Sequence, residues 1–284
     1  MSAHDNTIFG VIGAGQMGAG IAQTAAAAGL TVHLADSEFS RAEAGKRGIE
    51  KLLNRAVEKG KTTSNGAAML LSRIIPTASL SSLSACSFVV EAIVEQADVK
   101  AHLFRSLDEL LPPTAIIASN TSSISITRLA AATKRPDRVI GMHFMNPVPV
   151  MALVEVIRGL QTSEETYRTT VTLAEKFGKT TVLGIDSPGF IVNRILMPMI
   201  NEAIFLLQEG VAPDDIDHAM KLGTNQPMGP LTLADFIGLD TVLFILQVLH
   251  RDLGEDKYRP CPLLVRYVEA GYLGKKVGRG FYHY

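Results

Sequence analysis

The stretch Ile8-Phe9-Gly10-Val11-Ile12-Gly13-Ala14-Gly15-Gln16-Met17-Gly18 is an apolar segment that runs directly into a G-x-G-x-x-G turn. An alanine-rich helical pattern follows the turn, and a second apolar segment spans residues 30–35. That segment ends at Asp36, 18 residues after Gly18. Strand, glycine turn, helix, strand and acid, in this order, predict the first βαβ unit of a doubly wound parallel sheet.

The glycine turn also predicts a ligand. In this motif Gly13 permits the tight turn, Gly15 lets the backbone approach a pyrophosphate, and Gly18 lets the helix pack closely. The pyrophosphate then lies at the positive end of the helix, and Asp36 can bind the ribose hydroxyls of adenosine. No arginine follows before Arg41, so nothing nearby neutralises a 2′-phosphate. We expect NAD rather than NADP, although such turns also begin helices that hold no ligand.

Composition limits the class of protein. In 284 residues, 47% hydrophobic and 19% charged, the chain has enough apolar residues for a large core. A net charge of −1 without a basic run argues against nucleic acid as a partner, and no apolar run reaches the length of a membrane helix. Cys86 and Cys261 show no metal-ligand spacing, so we expect no metal site. Residues 1–6 show no signal segment, and we expect a reducing, cytoplasmic location.

Strand and helix patterns alternate through the first two thirds of the chain. The predicted elements are a helix at 40–59, strands at 73–77 and 88–92, a helix at 98–111, a strand at 115–118 and a helix at 124–132. The polar residues 119–123 follow the strand at 115–118. They therefore lie at the carboxyl end of a parallel strand, where such sheets form ligand sites.

Residues 139–144 and 152–157 are two strand patterns on either side of a turn that contains Pro147 and Pro149. This arrangement predicts an antiparallel pair. The midpoint between His143 and Glu155 falls inside the turn, so a hairpin would bring the two side chains together. A helix at 163–177 and a strand at 179–183 complete the first domain.

Helical periodicity continues from residue 187 to the end of the chain. We expect a first domain at 1–186 and an all-helical second domain at 187–284, with helices at 190–208, 213–222, 231–253 and 261–270. The apolar content of 195–207 and 241–249 exceeds what one helix face needs. This excess predicts burial against a second copy in a homodimer.

These features resemble the L-3-hydroxyacyl-CoA dehydrogenase family, and within it the short bacterial 3-hydroxybutyryl-CoA dehydrogenases. Besides the glycine turn, the matching stretches are EAIVE (91–95), SNTSS (119–123), GMHFMNP (141–147), PGFIVNR (188–194), MKLG (220–223), PMGP (227–230) and GRGFY (278–282). They occur in order along nearly the whole chain. Met145 departs from the family pattern, which usually has phenylalanine there, but it leaves His143 in place.

The resemblance implies an α/β fold with a Rossmann-type doubly wound sheet and a helical C-terminal domain that serves substrate binding and dimerisation. The implied reaction is the reversible, NAD-dependent oxidation of a short (3S)-3-hydroxyacyl-CoA to 3-oxoacyl-CoA. His143 would be the general base, Glu155 its support, and Ser122 and Asn193 the groups that bind the reacting oxygen and the thioester carbonyl. The implied cofactor-binding residues are Gly13, Gly15, Gln16, Met17, Gly18, Asp36, Glu95, Lys100, Ser122, Asn146 and Lys276.

The residue types suit these roles without requiring them. Imidazole titrates near neutral pH, so His143 can take a hydroxyl proton while hydride leaves, and a carboxylate can fix its tautomer. Glu155 is set among apolar residues, which predicts a buried and paired carboxylate. The residues are also consistent with a structural histidine, with Ser122 as a cap of the helix at 124–132, and with Asn193 as an ordinary polar helix position.

Lys51, Arg55 and Lys59 are spaced at i, i+4 and i+8 and form a basic stripe on one helix face. The stripe can take the phosphates of coenzyme A, as the resemblance implies for Lys59, or it can be a solvated helix face. Two further functions stay open. A dehydrogenase of free hydroxy or sugar acids would have no use for the stripe, and a non-catalytic, crystallin-like NAD-binding protein would have no use for a histidine–glutamate pair.

Overall fold

The computed structural model describes residues 8–284, so the absence of a signal segment in residues 1–6 concerns a part of the chain outside the described residues. The chain divides into two compact units, the first ending at Asp186 and the second comprising Ser187–Tyr284. Each unit has its own hydrophobic core. Within residues 8–284 no single helix has the length and hydropathy to cross a membrane. Two consecutive helices, Pro230–Ile237 and Leu239–Leu253, meet both criteria only when taken together, and a bend of 97° separates them.

An eight-stranded sheet forms the centre of the first unit. Its strands are β1 Ile8–Ile12, β2 Thr31–Ala35, β3 Ile74–Thr77, β4 Phe88–Glu91, β5 Ile116–Ser119, β6 Val139–Phe144, β7 Leu153–Arg158 and β8 Thr180–Ile185. Their order in the sheet is β3-β2-β1-β4-β5-β6-β7-β8. Strands β1–β6 are parallel, β7 is antiparallel to β6, and β8 is parallel to β7. The predicted doubly wound sheet and its antiparallel pair are confirmed.

The central strands are continuously apolar because helices cover both faces of the sheet. Phe9 on β1 and Phe88 on β4 are buried and stack with ring centroids 5.8 Å apart. The helices are α1 Gln16–Ala27, α2 Phe39–Glu58, α3 Ser64–Ser72, α4 Ala97–Leu110, α5 Ile126–Ala130 and α6 Glu164–Lys176. The sequence did not predict α3, which buries only Ala67 and therefore shows little apolar periodicity.

The cap of α5 corrects one expectation. Ser125, not Ser122, precedes this helix, and its hydroxyl accepts the N–H of Arg128 at 3.2 Å. The helix is also shorter than the predicted 124–132. The capping alternative for Ser122 is therefore wrong, because the polar turn after β5 extends two residues further than the helical pattern suggested.

The second unit is all helical, as expected. Its helices are α7 Val192–Gln208, α8 Pro213–Gly223, α9 Pro230–Ile237, α10 Leu239–Leu253 and α11 Pro262–Glu269. The single helix predicted at 231–253 is wrong, because Gly238 separates α9 from α10 with φ 102°. That backbone conformation is outside any helix and favours glycine.

Two buried aspartates attach the C-terminal segment to the helices of the second unit. Asp217 accepts hydrogen bonds from the N–H of Leu231 at 2.8 Å, from the N–H and hydroxyl of Thr232, and from the Tyr282 hydroxyl at 3.0 Å. Asp235 accepts the N–H groups of Phe281 and Tyr282, both at 2.9 Å. Burial raises the pKa of Asp235, and these N–H donors offset only part of that effect.

Candidate active site

A histidine and a glutamate face each other on the antiparallel pair β6–β7. His143 and Glu155 are register partners, and the histidine Nδ1 lies 2.6 Å from the glutamate Oε2. Glu155 is completely buried, and His143 is 7% exposed. A carboxylate at this distance favours the proton on Nδ1, which leaves Nε2 as the atom that can accept a proton. The ring is therefore held as a general base requires.

Ser122 lies in the turn 120–123 at the carboxyl end of β5, the strand beside β6. One carboxylate organises this turn. Oε1 of Glu95 accepts the N–H of Ser122 at 3.0 Å and of Ser123 at 3.1 Å, and the hydroxyls of Thr121 at 2.5 Å, Ser123 at 3.0 Å and Ser122 at 3.3 Å. The side chain and backbone of Ser122 are thus fixed by the same oxygen.

Burial raises the pKa of Glu95, but the Lys100 ammonium and the hydrogen bonds of the turn outweigh it and hold the pKa below its ordinary value. Glu95 is therefore ionised at neutral pH. The ammonium lies 3.2 Å from Oε2 of Glu95 and 2.5 Å from Oε1 of Glu91. Lys100 is 1% exposed. Its predicted contact with the cofactor, and that of Glu95, stay predictions.

The turn 120–123 is also connected to the strand that carries the histidine. Oδ1 of Asn120 accepts the N–H of Phe144 at 2.9 Å, one residue after His143. This hydrogen bond fixes the position of the turn relative to the end of β6. The structure thus brings Ser122 and the His143–Glu155 pair to the same end of the parallel strands, their carboxyl end.

The glycine turn has the shape of a dinucleotide cradle. Gly13 has φ 97°, and a Cβ at Gly18 would lie 1.7 Å from the Gly13 carbonyl oxygen, so neither position admits another residue. A Cβ at Gly15 would meet no atom within 4 Å. Asp36 accepts the N–H of Ala14 at 2.8 Å, which places its carboxylate beside the start of α1. These residues fit a pyrophosphate at the helix terminus and a ribose at Asp36.

A pocket of about 730 Å³ lies between α1, α2 and the turn 146–149. Gln16 and Asn146 meet at its edge, where the glutamine Nε2 donates to the asparagine Oδ1 at 3.1 Å. Lys179, the residue before β8, holds the turn in place, because its ammonium donates to the carbonyls of Val148 at 2.6 Å and Met151 at 2.8 Å. The turn that forms this wall of the pocket is thus bonded to the start of a strand.

One face of α2 forms a wall of the same pocket. It contains Arg41, Gly45, Gly48 and Leu52, at helical spacing. Continued by one and two further steps, this face reaches Arg55 and Lys59, and Lys51 borders it. All three cations of the stripe are exposed, and no ion pair within residues 8–284 engages them. None of these three cations lines the pocket, and Arg55 and Lys59 lie about one and two helical turns beyond Leu52, the last residue of α2 in its lining.

The remaining predicted residues lie in the second unit. Asn193 is 9% exposed in the first turn of α7, and Lys276 binds Asp240 through both carboxylate oxygens, at 2.6 and 2.7 Å. Their predicted contacts with substrate and cofactor stay predictions. Sequence reasoning gave no role to Glu91, which binds Lys100 directly. Its signals were its place at the start of the family stretch 91–95 and a carboxylate at the end of the apolar run of β4.

Comparison with known proteins supports one family along the chain. The family model described as "3-hydroxyacyl-CoA dehydrogenase, NAD binding domain" matches residues 9–186, and the C-terminal domain of the same family matches 189–284. A probable 3-hydroxybutyryl-CoA dehydrogenase of Bacillus subtilis is 59% identical over 275 residues, 96% of both chains. A 3-hydroxybutyryl-CoA dehydrogenase of Bradyrhizobium diazoefficiens is 56% identical over 97% of this chain and 94% of its own length.

A solved structure agrees. The crystal structure of an (S)-3-hydroxybutyryl-CoA dehydrogenase from Ralstonia eutropha is similar to this chain with a TM-score of 0.94 and 49% identity. The match covers 98% of this chain and 99% of that one. Both units are therefore matched in sequence and in backbone.

Proposed function

Because the chain belongs to the 3-hydroxyacyl-CoA dehydrogenase family, an NAD-dependent group of oxidoreductases, we propose that it oxidises (3S)-3-hydroxybutyryl-CoA reversibly to acetoacetyl-CoA. The observation that carries the proposal is the buried His143–Glu155 pair at the end of β6. We further propose that residues 1–186 form the NAD-binding domain and 187–284 the substrate and dimerisation domain, in a cytoplasmic enzyme.

The histidine performs the proton transfer. Oxidation of a secondary alcohol removes a proton from the hydroxyl oxygen and a hydride from the carbon, and NAD⁺ supplies the hydride acceptor when it is bound. The O–H proton passes to Nε2 of His143, and Glu155 stabilises the imidazolium that forms. In the reverse direction the same atom returns the proton to the carbonyl oxygen.

Neutral donors stabilise the reacting oxygen. The Ser122 hydroxyl has one hydrogen, which it donates to Glu95 over 3.3 Å. Turned toward the substrate, it can instead donate to the partial negative charge on the reacting oxygen without competing for the proton. Its position beside β6 supports this role. The corresponding role of Asn193 rests on the family motif and stays a prediction from the sequence.

The exposed cations at the C-terminal end of α2 support a coenzyme A substrate. The pocket along α2 is lined by Gly15 and Asp36, where we propose that NAD binds. Arg55 and Lys59 lie beyond that lining, where they suit the phosphates of a second ligand, the acyl-CoA. A free hydroxy acid has no group that would reach these cations.

The second unit supports the homodimer. Ile195 is 68% exposed, and Leu206 and Phe244 are each 42% exposed, although all three belong to apolar helices. A second copy would remove this surface from water. Sedimentation should give the mass of a dimer, and a monomer would contradict this part of the proposal.

The function is tested by following the loss of NADH absorbance with acetoacetyl-CoA. The wild type should turn over the CoA ester but not free acetoacetate. His143→Ala should lower kcat by about 10²- to 10⁴-fold. Turnover of the free acid alone would favour a hydroxy-acid dehydrogenase, and no turnover of either would favour a non-catalytic NAD-binding protein.

A further inference from the structure

We propose that Glu91, which the mechanism above does not use, is a positioning residue that holds Ser122 in place through a buried network of charged groups. The proposal rests on the proposed function, since it gives Ser122 a role in the reaction. Glu91 is the last residue of β4 and is completely buried. Both of its carboxylate oxygens are bound: Oε1 by Lys100 at 2.5 Å and the N–H of Ile93 at 2.7 Å, and Oε2 by Ser119 at 2.7 Å.

The first connection from Glu91 to the turn 120–123 runs through charges. Lys100 divides its ammonium between Glu91 and Glu95. Glu95 in turn accepts both the N–H and the hydroxyl of Ser122. The position of the ammonium between two carboxylates therefore sets where Glu95 lies, and Glu95 sets where Ser122 lies.

The second connection runs through hydroxyl and backbone groups. The Ser119 hydroxyl donates to Glu91 and accepts the N–H of Thr121 at 3.1 Å. The Glu91 carbonyl also accepts the N–H of Asn120 at 2.8 Å. Glu91 thus binds the turn at its beginning and, through Lys100 and Glu95, at its middle.

The charges make this arrangement sensitive to one substitution. Two carboxylates and one ammonium leave a net charge of −1, and Lys100 and Glu91 are almost without solvent. An amide in place of the Glu91 carboxylate leaves Glu95 as the sole anionic partner of the ammonium. The ammonium then shifts toward Glu95, because a buried charge moves to the best remaining partner. The turn follows Glu95, and the Ser122 hydroxyl leaves its position.

A double-mutant cycle tests whether Glu91 acts through Ser122. Glu91→Gln should lower kcat for acetoacetyl-CoA by roughly 10- to 100-fold with a smaller change in KM, because misplacement of a binding group costs about that much. In the Ser122→Ala background the same substitution should cost less than about threefold, since the group it positions is gone. Equal losses in both backgrounds would overturn the proposal.

Hydrogen exchange provides a measurement that does not depend on activity. In the ligand-free protein the amides of Ser122 and Ser123 should exchange faster in Glu91→Gln than in the wild type, because both donate to Glu95. Unchanged exchange in this segment would overturn the proposal. Faster exchange in a protein that does not turn over acetoacetyl-CoA would leave the positioning role intact and contradict the proposed function instead.

Asp235→Asn is the matched control, since this carboxylate is as deeply buried but lies in the second unit. It should not change the exchange of residues 121–123, and its effect on kcat should be equal with and without Ser122→Ala. If Glu91→Gln does not fold, Ser119→Ala carries the same test, because it removes only the second connection. It should then raise the exchange of the same amides and lower kcat by a smaller factor, and no change in either would overturn the proposal.

Discussion

The two units both bury carboxylates, but they bind them to different kinds of partner. In the first unit Glu155 contacts the imidazole of His143 and Glu91 contacts the ammonium of Lys100. Each partner can itself carry a charge, so the pair responds to protons and charges in the site. These carboxylates lie on strands of the sheet, near the edge where the glycine turn and the turn 120–123 are found.

In the second unit the buried Asp217 and Asp235 accept bonds from backbone N–H groups and from neutral hydroxyls. Such partners fix the chain but do not exchange charge with a ligand. The comparison teaches that burial alone does not identify a functional carboxylate in this protein. The chemical nature of the partner separates the two uses, and substitutions in the two units should therefore have different effects.

The largest effect is expected at Glu155. Glu155→Gln should lower kcat by about 10²- to 10⁴-fold, because an amide neither stabilises an imidazolium nor favours the productive tautomer of His143. Steady-state NADH oxidation with acetoacetyl-CoA measures this, with thermal unfolding as the control for folding. A folded variant with kcat within threefold of wild type would contradict the distinction between buried carboxylates that serve the reaction and those that serve stability.

Asp217→Asn should affect stability instead. The carboxylate accepts hydrogen bonds from four donors, so the substitution should lower the free energy of unfolding by about 2 to 4 kcal/mol. The kcat of the folded protein should stay within about threefold. Urea unfolding and steady-state kinetics are the measurements. A large loss of kcat at unchanged stability would assign this aspartate to the functional class.

The exposed cations Arg55 and Lys59 differ from the buried carboxylates of both units, because water screens their interactions. Replacing Arg55 and Lys59 together by alanine should raise KM for acetoacetyl-CoA by about 5- to 10-fold and leave kcat nearly unchanged, since two exposed charged contacts are together worth roughly 1 to 1.4 kcal/mol. Arg105→Ala is the control, because this arginine is also exposed but lies on α4, outside the stripe. Equal changes in KM for both variants would argue against a phosphate site at the stripe.

The smallest effect is a difference in pH dependence. The pKa of Glu95 is lowered in the folded protein, so its contribution to stability is present above the ordinary glutamate pKa and is lost as pH falls through the folded value. The pKa of Asp235 is raised, so its contribution is largest below the ordinary aspartate pKa and is lost as pH rises through the folded value. Urea unfolding of wild type, Glu95→Gln and Asp235→Asn between about pH 3 and 6 measures both. For each variant, the difference in the free energy of unfolding from the wild type is plotted against pH. Slopes of the same sign for the two variants would contradict this contrast.

The sequence predicted the parts of the site that depend on local spacing. The glycine turn is recognised from the spacing of its own residues. The turn 146–149 was recognised from its two prolines, and because the midpoint between His143 and Glu155 falls in it, the hairpin pairs these two residues. The α/β class and the all-helical second unit followed from hydrophobic periodicity. These features need few contacts between residues distant in the chain.

Features that depend on distant contacts could not be predicted in the same way. Glu91 and Lys100 are nine residues apart and on different elements, so only the packing of α4 on the sheet shows that they meet. The break at Gly238 was missed because one glycine is tolerated inside many helical patterns, and its positive φ is visible only in the folded chain. The helix α3 lacks a buried face that would have marked it.

The three glycines of the nucleotide turn differ in what a single methyl group would do. At Gly13 and Gly18 it would collide with backbone carbonyl groups, so alanine there harms the fold itself. At Gly15 the backbone has φ −67° and ψ −171°, which alanine adopts freely, and the methyl would occupy open space. We therefore expect Gly15→Ala to fold as the wild type does but to lose NAD binding, because the methyl group would lie where we propose that the pyrophosphate approaches the backbone. Such a variant would allow acyl-CoA affinity to be measured in the absence of turnover.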